Sequence, residues 1–322
     1  QGNAQCRFFP ATRARIYAFA HTRFRLCATA TPAPNDHAEL GTHAEFLGLM
    51  SRADMLQRWF INDGSRSNAW RLKGHAWRSF WDWMASWARM AETPADLGFD
   101  ASRFELPPMR VIRHRAAGDT RAPAGSLFLR DVSATNIHDI KRQTADARAD
   151  AVARVIAKEP TRWVVWADTD YETDALMARL SAAIEVRGSH PVELKELNLA
   201  AFANGDARII VTKPSVAGMG LNWQHCSRVA FVGRSFSYEA WYQAVRRCWR
   251  FGQQHPVHVH LIVAEGEDQI GRVIDRKAEG HALMKRAMAD AMRRDRAQIN
   301  EQRISYNPTH EGRLPVWLRS VA

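Results

Sequence analysis

The sequence predicts an α/β protein whose larger part is a parallel sheet covered by helices on both faces. Two observations lead there. Between about residues 136 and 292, short apolar runs alternate with longer stretches of helical periodicity, and such alternation builds βαβ units. The runs are apolar at successive positions, as in Val164-Val165-Trp166-Ala167 and Ile209-Ile210-Val211, which is how strands buried on both faces read. At 322 residues with 46% hydrophobic side chains, the chain has material for one sizeable core or two.

From the N-terminus, residues 23–30 read as a short strand entering a Thr-Pro turn. Residues 39–50 read as a helix with Leu40, Phe46, Leu47 and Met50 on its apolar side. Residues 51–105 are helical and rich in Trp. There Trp70, Trp77, Phe80, Trp81, Met84 and Trp87 recur at spacings of three, four and seven, one amphipathic face with Trp83 beside it. A packed helical core is the simpler reading of that face, ahead of base stacking. Residues 106–135 read as a linker, opened by Pro107-Pro108, with a short strand at 109–115 and a loop from Gly118 to Gly125. Strands are then expected at 164–167, 185–188, 208–212, 229–232 and 257–263, and helices at 171–180, 191–204, from about 238, and at 268–292. Residues 293–322 are a polar, Arg-rich tail in which Trp317 and Leu318 are expected to dock on the domain.

The net charge is +11, carried mostly by Arg. Such a surplus favours a polyanionic partner, usually nucleic acid, although an Arg- and Ala-rich coding bias gives the same balance. Cys6, Cys27, Cys226 and Cys248 are scattered, with neither C-x-x-C nor metal-ligand spacing. The simple reading is a reduced, cytoplasmic setting with Cys27 and Cys226 as packed thiols. No apolar run approaches the ~20 residues needed to span a membrane.

The most informative stretch runs from Gln243 to Gln253 and reads Q-x-x-R-R-x-x-R-x-G-Q. Arg247 and Arg250 are three apart, so on a helix they share one face. Two planar, permanently charged forks on one face suit phosphate, whereas a solvated basic helix end is the bland reading. Upstream, Val211 to Asn222 follows a predicted strand. Gly218 and Gly220 let backbone approach a phosphate or sugar closely, and Lys213 and Ser215 suit a nucleic-acid backbone. A tight turn that needs small residues for packing is the alternative.

The stretch from Gln243 to Gln253 resembles motif VI of superfamily-two helicases, whose arginines reach across a cleft to the γ-phosphate of ATP. Three further blocks resemble the same family in the same order. Cys27 to Asn35 is similar to motif III of the Swi/Snf-like branch, Arg162 to Asp168 to motif IV, and Val211 to Asn222 to motif V. The nearest group is the Swi/Snf-like helicases of phages and prophages, and the resemblance covers about residues 22–292. It implies a RecA-like C-terminal lobe over 136–292, preceded by a remnant of lobe one (1–50), a helical insertion (51–105) and an interlobe linker (106–135). It implies Arg247 and Arg250 as arginine fingers, and Gly220, Asn222, Gln243 and Gln253 at the nucleotide. It also implies Lys213, Ser215 and Gly218 on DNA, and Thr29 and Thr31 as coupling residues.

Two departures matter. The sequence has no G-x-x-x-x-G-K-[ST] phosphate loop and no acidic box after an apolar strand. Asp36-His37-Ala38-Glu39 has similar letters but lies in a polar loop. Both missing motifs precede motif III in the family, so the expectation is the C-terminal portion of a longer ATPase. ATP and Mg²⁺ are the implied cofactors of the intact enzyme, and this chain alone is expected not to hydrolyse ATP. A non-catalytic nucleic-acid-binding module and one subunit of a split ATPase remain as alternatives.

Overall fold

The computed structural model describes residues 18–19, 21–62, 70–116, 134–218, 220–264 and 268–301. The predicted loop from Gly118 to Gly125, Met219 of the motif V block, Cys6 and the predicted docking of Trp317 and Leu318 lie outside these residues.

Six strands form one sheet: β3 (Met109–Arg115), β4 (Trp163–Trp166), β5 (Ala183–Val186), β6 (Ile209–Thr212), β7 (Arg228–Phe231) and β8 (Val257–Val263). Their order is β3-β8-β7-β4-β6-β5, and every pairing is parallel. This is the parallel sheet that the alternating pattern predicted. Five strands fall within residues 136–265. The sixth, β3, comes from the predicted linker and pairs residue for residue with β8 from Met109–Val257 to Arg115–Val263. Residues 109–115 are therefore part of the sheet.

Side chains alternate across a strand, and here both sides are buried. Trp163, Val165, Ile209, Val211, Ala230 and Val232 enter one core with α5 (Ala145–Ala157) and α6 (Asp170–Met177). Val164, Trp166, Ile210, Val229 and Phe231 enter the other, against α7 (Val192–Asn204), α8 (Pro214–Ala217) and α9 (Tyr238–Val245). That two-sided burial explains the unbroken apolar runs.

The N-terminal region departs from expectation in one respect. Residues 24–30 form no strand, and Phe24 and Leu26 are exposed. A single strand's backbone groups need a ladder partner, and the described residues supply none there. Beyond them lie α1 (Leu40–Leu47), α2 (Arg52–Trp59) and an antiparallel pair, β1 (Phe60–Asn62) with β2 (Trp70–Leu72), followed by α3 (Trp77–Trp87). Trp70 thus lies on a strand, outside the predicted helical stripe. Phe80, Trp81 and Met84 of α3 are buried in a core that also takes Met55, Trp59 and Phe60. The Trp-rich face is packing, as the simpler reading held.

The last helix, α10 (Asp268–Glu301), follows α4 (Ala134–Gln143) and the sheet. Its Met284, Met288 and Met292 complete the Trp-rich core, while Ile270 and Ile274 pack with Tyr238 of α9. Ion pairs Arg89–Asp295, Lys285–Glu92 and Arg294–Asp82 reinforce the seam. One helix therefore ties the helical region to the sheet. Among the described residues no helix is long and apolar enough to cross a membrane.

At the β3–β8 edge, His114 Nε2 and His260 Nδ1 lie 2.9 Å apart with their rings stacked, and Trp163 packs on His260. Such a bond needs one nitrogen to donate and the other to accept, so protonating both breaks it. Burial, then the neighbouring His114, pushes His260 down to about 4, and burial followed by Lys158 lowers His114. The unfolded chain takes up protons near the ordinary value of 6.5, which folded His260 refuses until about 4. This stability is complete above that ordinary value and is lost as pH falls through the window. Urea unfolding at stepped pH should show it, with a flatter acid slope for His260→Leu. An unchanged slope would exclude the pair as the cause.

Candidate functional site

A cleft of about 230 Å³ opens where β4, β6 and β7 end. Asp168 follows β4, Lys213 and Ser215 follow β6, and Gly233 to Ser237 follow β7. Glu239 and Gln243 come from α9. Carboxyl ends of strands in open parallel sheets are where ligands sit.

The cleft walls are fixed by a buried charge network. Arg148 on α5 and Glu172 on α6 are fully buried and ion-paired at 2.8 Å. Arg148 also donates to Thr144 Oγ1 at 3.1 Å, to Lys141 O at 2.6 Å and to Val232 O. The sequence Thr169-Asp170-Tyr171-Glu172 is a capping box, T-x-x-E. In it Glu172 Oε2 accepts from Asp168 N at 2.8 Å and Thr169 N at 3.0 Å. Lys141, also buried, donates to Asp168 Oδ2 and to Arg234 O, both at 2.6 Å. Two of the three strand-end loops are thus held from beneath by three buried charges. Gly233 must be glycine, because a Cβ there would meet Glu172 Oε1 at 2.3 Å.

The remaining rim groups are also engaged. Lys213 Nζ reaches Asp170 Oδ1 at 2.7 Å. Ser237 caps α9, accepting from Ala240 N at 3.1 Å. Thr31 is buried and donates to Glu239 Oε1 at 3.2 Å, while Thr29 Oγ1 accepts from Thr31 N at 3.1 Å. Lys277 Nζ joins Asn35 Oδ1 and Phe236 O. The segment from Thr29 to Asn35 therefore fastens onto the start of α9 at the cleft rim.

The arginines stand elsewhere. Helix α9 ends at Val245, so Arg247 and Arg250 ride on turns beyond it and do not share a helical face. They converge nonetheless. Arg247 Nη1 and Arg250 Nη1 both donate to Leu221 O, at 3.0 and 3.2 Å. Arg247 also donates to Gln243 O at 3.0 Å, and Trp223 N donates to Arg247 O at 2.9 Å. Burial, then the charge of Arg250, holds the Arg247 guanidinium below its ordinary value.

Gln243 links the two places, lining the cleft while holding Arg247. Gly220 has φ +77° with open space around it, the left-handed conformation that glycine adopts readily. A Cβ on Gly218 would lie 2.2 Å from Pro214 O, which gives that glycine a packing reason. Asn222 Oδ1 faces Gln224 N at 3.4 Å. Gln253 is buried away from the cleft, its amide donating to Cys226 O at 3.0 Å and Cys248 O at 3.3 Å, and its oxygen accepting from His255 N. These bonds make Gln253 a clamp on the turn and leave its amide engaged inside the protein. Among the described residues no group of three or more His, Cys, Asp or Glu is placed to hold a metal.

Sequence reasoning missed Lys141, Arg148 and Glu172. The capping box was a readable signal for Glu172. Nothing local marks Arg148, whose partners lie on other elements.

Glu172→Gln would leave Arg148 buried without its counter-charge and should cost about 3–5 kcal/mol in urea unfolding. Gly233→Ala should cost about 1–3 kcal/mol through overpacking against a pinned carboxylate. Wild-type stability in both variants would mean the network does not hold the walls.

No curated protein matches the chain. Among solved structures it is similar to the C-terminal part of the Fun30 ATPase domain, at 17% identity and TM-score 0.36, covering 45% of this chain and 54% of that one. It is also similar to the C-terminal domain of the DEAD-box protein Dbp5, at 12% identity and TM-score 0.36, covering 40% of this chain and 77% of that one. The chain thus spans about half the length of the first, and both likenesses are too slight to bear on function. Residues 147–252 match the family described as the helicase conserved C-terminal domain, a stretch that holds the four strands β4 to β7, the cleft, Leu221 and both arginines.

Proposed function

We propose that this chain is the C-terminal part of an ATP-dependent DNA helicase or translocase of the Swi/Snf-like type, cytoplasmic, and inactive as an ATPase without lobe one. The observation that carries this is the convergence of Arg247 and Arg250 on a single neutral oxygen, Leu221 O, inside the stretch that matches the helicase C-terminal domain. Two like charges at one carbonyl repel each other, and an anion between them relieves that cost. Among the described residues Arg250 makes one hydrogen bond, so most of its donors remain for a ligand. The planar fork fits a terminal phosphate.

ATP bound with Mg²⁺ supplies the phosphoryl group and its charge neutralisation when lobe one is present. The sequence has neither the phosphate loop nor the acidic box, so both are assigned to lobe one, in the parent chain or on a separate subunit. Gly220 and Asn222 flank Leu221 and Gln243 holds Arg247, which supports a place for all three beside the nucleotide.

The cleft is assigned to the DNA backbone. Lys213 and Ser215 line it and Gly218 closes the turn behind them. The Lys213–Asp170 pair lies at an exposed carboxylate, and such pairs are worth ~0–1 kcal/mol, so a phosphate displaces Asp170 at little cost. Thr31 on Glu239 is the contact through which motif III couples to this cleft.

Two measurements test the reading. Joined to a complete phosphate-loop lobe, Arg247→Ala and Arg250→Ala should each lower ATP turnover on the order of 10³-fold or more, with DNA affinity nearly unchanged. A reconstituted enzyme indifferent to both makes the two arginines part of a structural turn and favours a binding module. By fluorescence anisotropy, DNA affinity should fall steeply with salt, and Lys213→Ala should reduce the salt slope by about 1. Salt-insensitive binding contradicts the backbone contact.

A further inference from the structure

Cys226 and Cys248 belong to different segments, the loop before β7 and the turn between the two arginines. Both side chains are fully buried in the same core, and each thiol perturbs the other. The backbones converge as well, because the single amide nitrogen of Gln253 donates to both carbonyls, at 3.0 and 3.3 Å. Cys226 Sγ is in addition 3.2 Å from Arg162 O and from Arg228 O, which anchors it to the sheet. The two cysteines therefore sit together in one core, one on a fixed strand end and one on a turn. Nothing in the packing requires two thiols here, and the phosphate chemistry assigned to the arginines uses neither.

We propose that Cys226 and Cys248 form a reversible disulfide that locks the turn carrying Arg247 and Arg250 to the base of β7. A disulfide needs its sulfurs at ~2.05 Å with converging Cβ atoms, and two cysteines of one core whose carbonyls share the Gln253 amide reach this by a small movement of the turn. The oxidant class is a hydroperoxide. A thiolate sulfur attacks one peroxide oxygen, the O–O bond breaks, and a sulfenic acid forms with release of alcohol or water. The second thiol then attacks that sulfur, the S–S bond forms, and the sulfenic oxygen leaves as water. Two thiols lose two electrons and the peroxide gains them.

Access comes through the turn, which reaches solvent at Phe251 and Gly252, both exposed. In the closed turn, the interaction with Cys226 and then burial hold Cys248 well above its ordinary value, so reaction waits on opening and runs faster in mild alkali. Cys27, the other described free thiol, is half-buried on the N-terminal segment and serves as the internal control.

The test is peptide mapping under non-reducing conditions after treating the folded, reduced chain with hydrogen peroxide at mildly alkaline pH. Trypsin should yield peptide 209–228 joined to 248–250 with two hydrogens lost, and dithiothreitol should separate them. Cys226→Ser and Cys248→Ser should each abolish the linked peptide, and Cys27→Ser should leave it. Hydrogen exchange at residues 246–252 should slow in the oxidised chain and recover on reduction. The proposal is overturned if peroxide gives sulfinic or sulfonic acid at either residue without the linked peptide. It is overturned equally if the link forms only in urea, or if the oxidised turn exchanges as fast as the reduced one. None of these readouts depends on whether the arginines meet a phosphate.

Discussion

The ion pair between Arg148 and Glu172 is the constraint around which the cleft is built. Both groups are out of water, so each is tolerable only because the other, and several hydrogen bonds, stand beside it. Those bonds do positional work. Arg148 gathers Lys141 O and Val232 O, Glu172 gathers the amides of Asp168 and Thr169, and Lys141 adds Asp168 and Arg234. The ends of β4 and β7, which have no sequence proximity, are thereby held in one register. The price is a glycine at position 233, where any side chain would enter the carboxylate.

Around this anchor the fold keeps its charged rim groups lightly held and its backbone tightly held. Lys213 is engaged by an exposed carboxylate, and the arginines by carbonyl oxygens. Helix α9 spans the arrangement, with Ser237 and Glu239 at the cleft, Gln243 at the middle and the arginine turns beyond its last residue. The Trp-rich core is joined to it through α10, and Thr31 meets Glu239 at the same end. A displacement of the N-terminal segment or of α10 therefore bears directly on α9.

The parallel sheet was legible in the sequence because strands buried on both faces leave unbroken apolar runs, as β4, β6 and β7 do, while β8 is interrupted by His258 and His260. Residues 109–115 were harder to place, since β3 is an edge strand whose Arg110, Arg113 and Arg115 face solvent and mimic a linker. Residues 23–30 carried strand-like letters, but a strand exists only with a partner. Trp70 fell into the helical stripe because periodicity counts spacing and not the antiparallel pairing of Trp70 with Asn62. Among site residues, Lys213, Ser215 and Gln243 were readable and line the cleft, and the arginine pair was readable as a pair. The helical face assigned to Arg247 and Arg250 was not, because α9 stops at Val245 before reaching them. Gln253 matched a motif position, yet its buried amide serves the turn. Arg148 and Lys141 were invisible, since their meaning comes from partners between four and 93 residues away.

The proposed binding of a nucleic-acid backbone in the cleft at the ends of β4, β6 and β7 is the claim most open to direct test. Hydrogen exchange of the chain with and without single-stranded DNA, at low salt, measures this without presupposing hydrolysis. The account predicts slowed exchange at residues 213–218 and 233–237 on DNA addition, with Glu172→Gln weakening that protection. Protection confined to β3, α7 or the Trp-rich helices, with the cleft segments unchanged, would contradict it.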